Sequence, residues 1–273
     1  MPDMVTRIAM AGAAGRMGRR IIALAADDAT VRLVAALEGA GSPALGEDAG
    51  GLACGRSSGV PISQTLDASP ADVLIEFTSP SGTLHWLDLC VARGMPIVIG
   101  TTGHSTDQLA RIKQSASRIA IIKAANMSVG VNVLLRAVRM LSQTLDLSYD
   151  VEIVESHHRF KADAPSGTAL ALRDAVLDGR RDAGNEASPI VYGRHGHATE
   201  RPAGEIGIHA LRIGDTVGEH TVAFGNLGET ITLSHSAHSR DTFAIGALRA
   251  SKWIVGRPPG LYNMQDVLFG GEQ

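Results

Sequence analysis

The chain predicts an α/β protein in two parts. A parallel sheet covered by helices comes first, then an α+β segment with a mostly antiparallel sheet, and a last helix returns to the first part. Three observations predict this. Through the first half, short and mostly apolar runs alternate with helical stretches. From Asp150 onward the runs lengthen, alternate in polarity and are joined by Gly- and Asn-rich turns. The tail then becomes helical again.

In order, Thr6–Ala11, Val31–Leu37, Val73–Phe77, Ile97–Gly100 and Ile119–Lys123 are apolar runs without regular polar alternation, and read as strands buried on both faces. Between several of them lie the helical stretches Met17–Ala26, Thr83–Ala92 and Thr106–Ser115. Ser105 is placed to cap the last of these and Gly94 to stop the second. Such alternation implies right-handed βαβ units. A long helical pattern covers Val129 to Leu145. Asp150–Glu155, Gly204–Ile213, Glu219–Ala223 and Glu229–Ala237 then read as amphipathic strands, with turns at Gly214-Asp215 and Gly225-Asn226. Ala169–Leu177 is a further helical run. Residues 178–203, with Gly179, Gly184 and Pro189, read as a polar loop, and Phe243–Val255 is the closing helix. The expected domains are residues 1–127 with 241–273, and residues 128–240.

Bulk properties narrow the function. With 273 residues, 44% of them apolar and 19% charged, the chain can build one large core or two ordinary ones. A net charge of −3 gives no electrostatic case for nucleic acid or an anionic membrane. No apolar run approaches the roughly 18–20 residues that span a bilayer. The N-terminus lacks a basic stretch followed by a cleavable apolar segment. Cys54 and Cys90 are isolated thiols, which suits a reducing compartment. A cytoplasmic protein is expected.

Gly12-Ala13-Ala14-Gly15-Arg16-Met17-Gly18 follows the first strand and opens the first helix. A glycine turn there brings backbone close to a pyrophosphate, and the helix N-terminus offers free N–H groups. By itself the trio is also compatible with a plain tight turn. Glu38, 20 residues past Gly18 at the end of the second strand, adds the acid that binds adenine ribose hydroxyls. Together they predict NADH and/or NADPH as cofactor. Because the Glu38 carboxylate repels a 2′-phosphate and Gly39 supplies no cation, NADH is expected to work at least as well as NADPH. Arg16 and Arg19 are the cations within reach of such a phosphate. Phe77-Thr78-Ser79-Pro80 and Gly100-Thr101-Thr102-Gly103 also follow strands, where open α/β sheets bind ligands. The alternative for both is an ordinary turn with N-capping hydroxyls.

The densest polar cluster is Glu155–Ala169. Pro165-Ser166-Gly167-Thr168 is a capped helix start that attracts a carboxylate or phosphate. Lys161, His157 and His158 add charge and donors, and a histidine can pass a proton near neutrality. A capped helix behind a solvated loop is the bland alternative. His157-His158, His195-x-His197, His235 and His238 prompt a metal reading, but no carboxylate or thiolate completes a known spacing, and no metal is expected.

The run H-H-x-x-K-x-D-A-P-S-G-T-A within Glu155–Ala169 closely resembles the signature of the 4-hydroxy-tetrahydrodipicolinate (dihydrodipicolinate) reductase family. The likeness continues at Gly12–Gly18, Glu38, Gly100–Gly103, Ala124–Asn132, Gly204–Gly207 and Gly218-Glu219-His220. The resemblance implies a Rossmann-type domain with an inserted mixed domain, and a homotetramer assembled through the latter's sheet. It implies His157 as catalytic acid/base and Lys161 as proton donor. His158, Ser166, Gly167 and Thr168 would bind one carboxylate of a small dicarboxylate substrate, and Arg240 the other. Gly12, Ala13, Ala14, Gly15, Arg16, Met17, Glu38, Phe77, Gly100, Thr101, Thr102, Ala124, Ala125, Asn126 and Met127 would line the cofactor. The reaction implied is reduction of that dicarboxylate to tetrahydrodipicolinate, toward diaminopimelate and lysine, with closure hinged at Ala125–Gly130 and Ser236–Arg240. An aspartate or homoserine dehydrogenase would share the glycine turn but has no reason to carry the His157–Thr168 cluster. A non-catalytic dinucleotide sensor would need a partner surface, which the sequence does not show.

Overall fold

The computed structural model describes residues 5–66, 70–185, 188–196 and 200–270. The chain forms two compact units, Met1–Val129 with Arg240–Gln273, and Gly130–Ser239.

The first unit holds seven strands: β1 (Thr6–Ala11), β2 (Val31–Leu37), β3 (Ile62–Ser63), β4 (Val73–Glu76), β5 (Ile97–Ile99), β6 (Ala120–Lys123) and β12 (Gly260–Tyr262). They lie in the order β12-β6-β5-β4-β1-β2-β3, and every pairing is parallel. Helices α1 (Arg16–Ala25), α2 (Ala49–Cys54), α3 (Pro80–Arg93), α4 (Thr106–Ser115), α7 (Asp241–Ile254) and α8 (Met264–Phe269) complete it. Ile8, Met10, Ile21, Ile75, Ile122 and Ala247 form one apolar cluster, while Leu37, Leu74, Leu87, Ile97 and Ile112 form a second. Burial on both faces is why these strands carry no polar alternation.

The helix ends follow their caps. Ser105 closes a capping box with Gln108, and Gly94 stops α3 in the left-handed conformation at φ +63°. Helix α3 begins at Pro80 rather than at Thr83, because the Ser79 side chain accepts the Gly82 N–H and Pro80 suits the first helical position. The short elements α2, β3, β12 and α8 are too brief to leave a periodic signal. Helix α7 lies close to the chain at Met127: a Cβ on Gly246 would stand 1.8 Å from the Met127 carbonyl oxygen.

The second unit contains α5 (Val129–Thr144), β7 (Asp150–His157), α6 (Gly167–Asp182), β8 (Ile190–Tyr192), β9 (Ile206–Arg212), β10 (Gly218–Gly225) and β11 (Thr230–Ala237). Its sheet has the order β11-β10-β7-β9-β8. Antiparallel pairing holds for β11-β10-β7, whereas β9 and β8 join in parallel. The sheet is therefore mixed rather than mostly antiparallel, because α6 returns the chain to the starting end before β8 and β9. Leu134 and Val138 of α5 and Leu172 and Val176 of α6 pack with Ile153, Ile208 and Phe224 of the sheet. Side chains of β11 alternate, with Thr230, Thr232, Ser234 and Ser236 exposed.

Residues 178–203 are not simply a loop. Helix α6 runs to Asp182, and Ile190–Tyr192 forms a strand. Gly179 looks like a breaker, yet a Cβ there would sit 2.3 Å from the Arg139 carbonyl oxygen. Its role is to let α6 cross α5 closely. Among the described residues, no helix is long and apolar enough to cross a membrane.

Candidate functional site

In the first unit, the chain turns sharply from β1 into α1. Gly12 has φ +83°, and a Cβ on it would stand 2.2 Å from the Phe77 carbonyl oxygen. A Cβ on Gly18 would stand 2.0 Å from the Gly12 carbonyl oxygen. Only glycine fits either place, the first for conformation and contact, the second for contact alone. Gly15 is the N-cap of α1, and no side chain caps the helix. Its first-turn N–H groups and positive dipole end are therefore left for an anion.

Glu38 follows β2 directly, and its Oε1 accepts the Ala14 N–H at 2.8 Å. Arg19 Nε donates to the Ala14 carbonyl at 2.7 Å, bracing the turn, while Arg16 is exposed. Ala13 is buried and Ala124 packs against the core. Met17, Phe77, Gly100, Ala125, Asn126, Met127 and Phe243 line a cavity of about 290 Å³. All but Phe243 were expected from sequence. Thr102 is exposed, and the buried Thr101 hydroxyl donates to Glu76 at 2.7 Å. The glycine cradle, the uncapped helix and Glu38 fit a dinucleotide.

In the second unit, His157 ends β7 and is buried. Its Nδ1 lies 2.6 Å from Oε2 of Glu155, which sits two residues earlier and so on the same face of the strand. Arg212, paired with His157 in the β7–β9 register, donates Nη1 to Oε2 and Nη2 to Oε1, both at 2.9 Å. The Ser166 N–H donates to Oε1 at 3.0 Å. Burial alone would push the Glu155 carboxyl up, but Arg212, His157 and the Ser166 N–H together hold it below its usual range. As a carboxylate it can only accept, so Nδ1 carries a proton and Nε2 is the nitrogen left for chemistry. A Cβ on Gly218 would lie 3.0 Å from Nε2, and glycine leaves that approach open.

Around the dyad, Ser166 is buried as N-cap of α6 and accepts the Ala169 N–H at 3.2 Å. Gly167 is exposed with nothing within 4 Å of where a Cβ would be, and Thr168 is half-buried. His158 is half-buried, with no hydrogen-bond partner for its Nδ1 among the described residues. Lys161 Nζ meets Asp163 Oδ1 at 2.8 Å. Arg240 is exposed at the N-cap of α7 and belongs to the first unit. Among the described residues, no group of three or more His, Cys, Asp or Glu side chains could hold a metal ion. His197 lies outside them.

His220 stands opposite Glu155 in the β7–β10 register, and its ring meets the His157 ring edge-on at 5.2 Å. Its Nε2 is 3.3 Å from Ser166 Oγ. Burial first, and then the neighbouring His157, push its pKa down from 6.5 to about 4. An unfolded chain takes up that proton near pH 6.5, and the folded chain refuses it until about pH 4. Stability therefore falls as pH drops through this window and levels off below it. The expected contribution is about 3 kcal/mol. Urea melts at pH 7 and pH 4.5 should differ less in His220→Gln than in the wild type; equal differences would refute the assignment.

Sequence reasoning gave no role to Glu155, Arg212, His220, Glu76 or Phe243. The two-residue spacing from His157 was an available signal for Glu155. Arg212 had none, because its pairing is created by strand register.

Comparison with known proteins agrees along the chain. Residues 6–127 match the family model "Dihydrodipicolinate reductase, N-terminus", and residues 130–268 match "Dihydrodipicolinate reductase, C-terminus". A 4-hydroxy-tetrahydrodipicolinate reductase of Thiobacillus denitrificans is 48% identical over 97% of this chain and 99% of its own. One from Chromobacterium violaceum is 48% identical with the same coverage. Among solved structures, a dipicolinate-bound dihydrodipicolinate reductase from Paenisporosarcina sp. TG-14 shares the fold. Its TM-score is 0.76 at 24% identity, over 96% of this chain and 99% of that one.

Proposed function

The chain belongs to the dihydrodipicolinate reductase family, and on that premise we propose that the Glu155–His157 dyad at the N-terminus of α6 serves reduction of 4-hydroxy-tetrahydrodipicolinate. It is an oxidoreductase that uses NADH or NADPH, and the product is tetrahydrodipicolinate, on the way to diaminopimelate and lysine. The observation that carries the reading is the orientation of His157 by a fully buried carboxylate.

A dihydronicotinamide held in this cavity would supply the hydride; the chain's own residues do the rest. The turn Gly12 to Met17 would lie against the pyrophosphate, which the first-turn N–H groups of α1 would hold, and Glu38 would take the adenine ribose hydroxyls. Phe77, Gly100 to Thr102 and Ala124 to Met127 enclose the remainder. His157, fixed through Nδ1, exchanges a proton at Nε2. Lys161 neutralises developing negative charge or donates a proton, once freed from Asp163. His158, Ser166, Gly167 and Thr168 hold one carboxylate at the α6 N-terminus, and Arg240 is the candidate for the other. Overall the reaction consumes one hydride and one proton and releases water.

The working form is a homotetramer in the cytoplasm, assembled through the sheet of the second unit. NADH serves at least as well as NADPH, because Glu38 opposes a 2′-phosphate and Arg19 is engaged with Ala14. The test is loss of dihydronicotinamide absorbance when pyruvate, aspartate semialdehyde and the preceding synthase generate the substrate in situ. Rapid, synthase-dependent loss is expected. Intact NADH binding without turnover would sink the substrate assignment, and a KM for NADPH well below that for NADH would sink the preference.

A further inference from the structure

Glu76 ends β4 and is fully buried, although no step of the reaction uses it. Its Oε1 accepts the Thr78 N–H at 2.7 Å, the Thr101 hydroxyl at 2.7 Å and the Thr78 hydroxyl. Its Oε2 accepts the Thr83 hydroxyl, in the first turn of α3, at 2.9 Å. One carboxylate thus ties together the loop after β4, the start of α3 and the loop after β5. Burying a carboxylate is costly, and an apolar residue would fill the same space more cheaply. What an apolar residue cannot do is gather those donors.

The tied segments are the ones that shape the cofactor cavity. Phe77 lies between Glu76 and Thr78, and Gly100 precedes Thr101; both line the cavity. Phe77 is also closely approached by the glycine turn and by the loop after β5. A Cβ on Gly12 would meet its carbonyl oxygen at 2.2 Å, and a Cβ on Gly100 would meet its ring at 2.2 Å. The Thr78 N–H is shared with Thr101 Oγ1 at 2.8 Å, which links the two loops directly. A shift of either loop would therefore move the Phe77 ring into or away from the cavity.

We propose that Glu76 is the positioning residue of the cofactor cavity, its carboxylate setting the spacing of the Phe77 and Gly100 loops at which the dihydronicotinamide cofactor binds. The inference rests on the dinucleotide reading of that cavity. Glu76→Gln keeps the size of the side chain but turns one acceptor into an amide donor facing hydroxyls. Thr101→Val removes, without changing shape, the hydroxyl that donates to Glu76 and accepts the Thr78 N–H. Cofactor affinity is read by NADH fluorescence titration, which needs no dicarboxylate substrate, beside thermal melts and kcat at saturating NADH.

Glu76→Gln should weaken NADH binding about tenfold, the scale of one lost charge-assisted hydrogen bond. Thr101→Val should weaken it severalfold, and the double variant should lose less than the sum of the two, since both changes remove the Glu76–Thr101 bond. At saturating NADH, kcat of Glu76→Gln should stay within about twofold, as expected when only binding is lost. A lowered melting temperature with NADH affinity unchanged would reduce Glu76 to a structural role and overturn the proposal, as would additive losses in the double variant. If Glu76→Gln does not fold, Thr83→Val, which removes the donor to Glu76 Oε2 at a residue outside the cofactor lining, decides by the same titration. Failure of the wild-type chain to bind NADH would instead sink the reading of the cavity, and the proposal with it.

Discussion

Replacing His157 with glutamine is expected to lower kcat by roughly 10²-fold or more while leaving NADH binding intact. Glutamine is close in length and can hydrogen-bond Glu155, so the strand end and the α6 N-terminus should keep their arrangement. What it lacks is a titrating nitrogen at the Nε2 position, beside Gly218. The proposed cofactor residues lie in the other unit, so NADH titration provides the control within the same protein. Lys161→Ala should show a loss of similar size. Its Nζ is held by Asp163, whose carboxyl Lys161 keeps below the usual range. Full activity in either variant would remove that residue from the mechanism.

Glu155→Ala is expected to destabilise the protein by about 3–5 kcal/mol, the usual consequence of removing one member of a buried ion pair. Arg212 would lose both carboxylate bonds, and the Ser166 N–H its acceptor. Because the folded-state pKa of Glu155 is depressed, its contribution is complete above the unfolded carboxyl value. It is lost as pH falls through the lower folded one. Urea melts at neutral pH measure the first effect, and the acid limb of the stability curve measures the second. Glu155→Gln separates stability from orientation. It keeps the volume, so a smaller loss of stability is expected, but the amide no longer dictates which ring nitrogen of His157 carries the proton. A fall in kcat of about 10²-fold with unchanged cofactor affinity is expected. Wild-type turnover in Glu155→Gln would show that the dyad does not orient the proton transfer.

The glycine turn and the His157–Thr168 run were legible because each is contiguous and each is tied to a local rule. A turn from strand to helix needs glycine, and a helix start needs a cap. The cap at Ser105 and the stop at Gly94 belong to the same kind of signal. What stayed hidden is made by long-range pairing. Arg212 reaches Glu155 across 57 residues only because β9 joins β7 in parallel. Glu76 ends an apolar run as any strand might, and nothing nearby announces three hydroxyls converging on it. Gly179 misled because a packing glycine and a loop glycine look alike until the neighbouring helix is in place. Phe243 completes the cavity from the far end of the chain.

The bond between the Ala14 N–H and Glu38 has a consequence for how nucleotides are told apart. It folds the anion-facing turn onto the end of β2 before any cofactor arrives, so binding spends little chain entropy on shaping that turn. A pre-organised wall with a carboxylate in a set place cannot adapt to an extra phosphate by rearranging. If Glu38 takes the ribose hydroxyls as proposed, discrimination would lie in the fixed geometry of the free protein, and shifting coenzyme use would require rebuilding the support of the turn as well as replacing the acid.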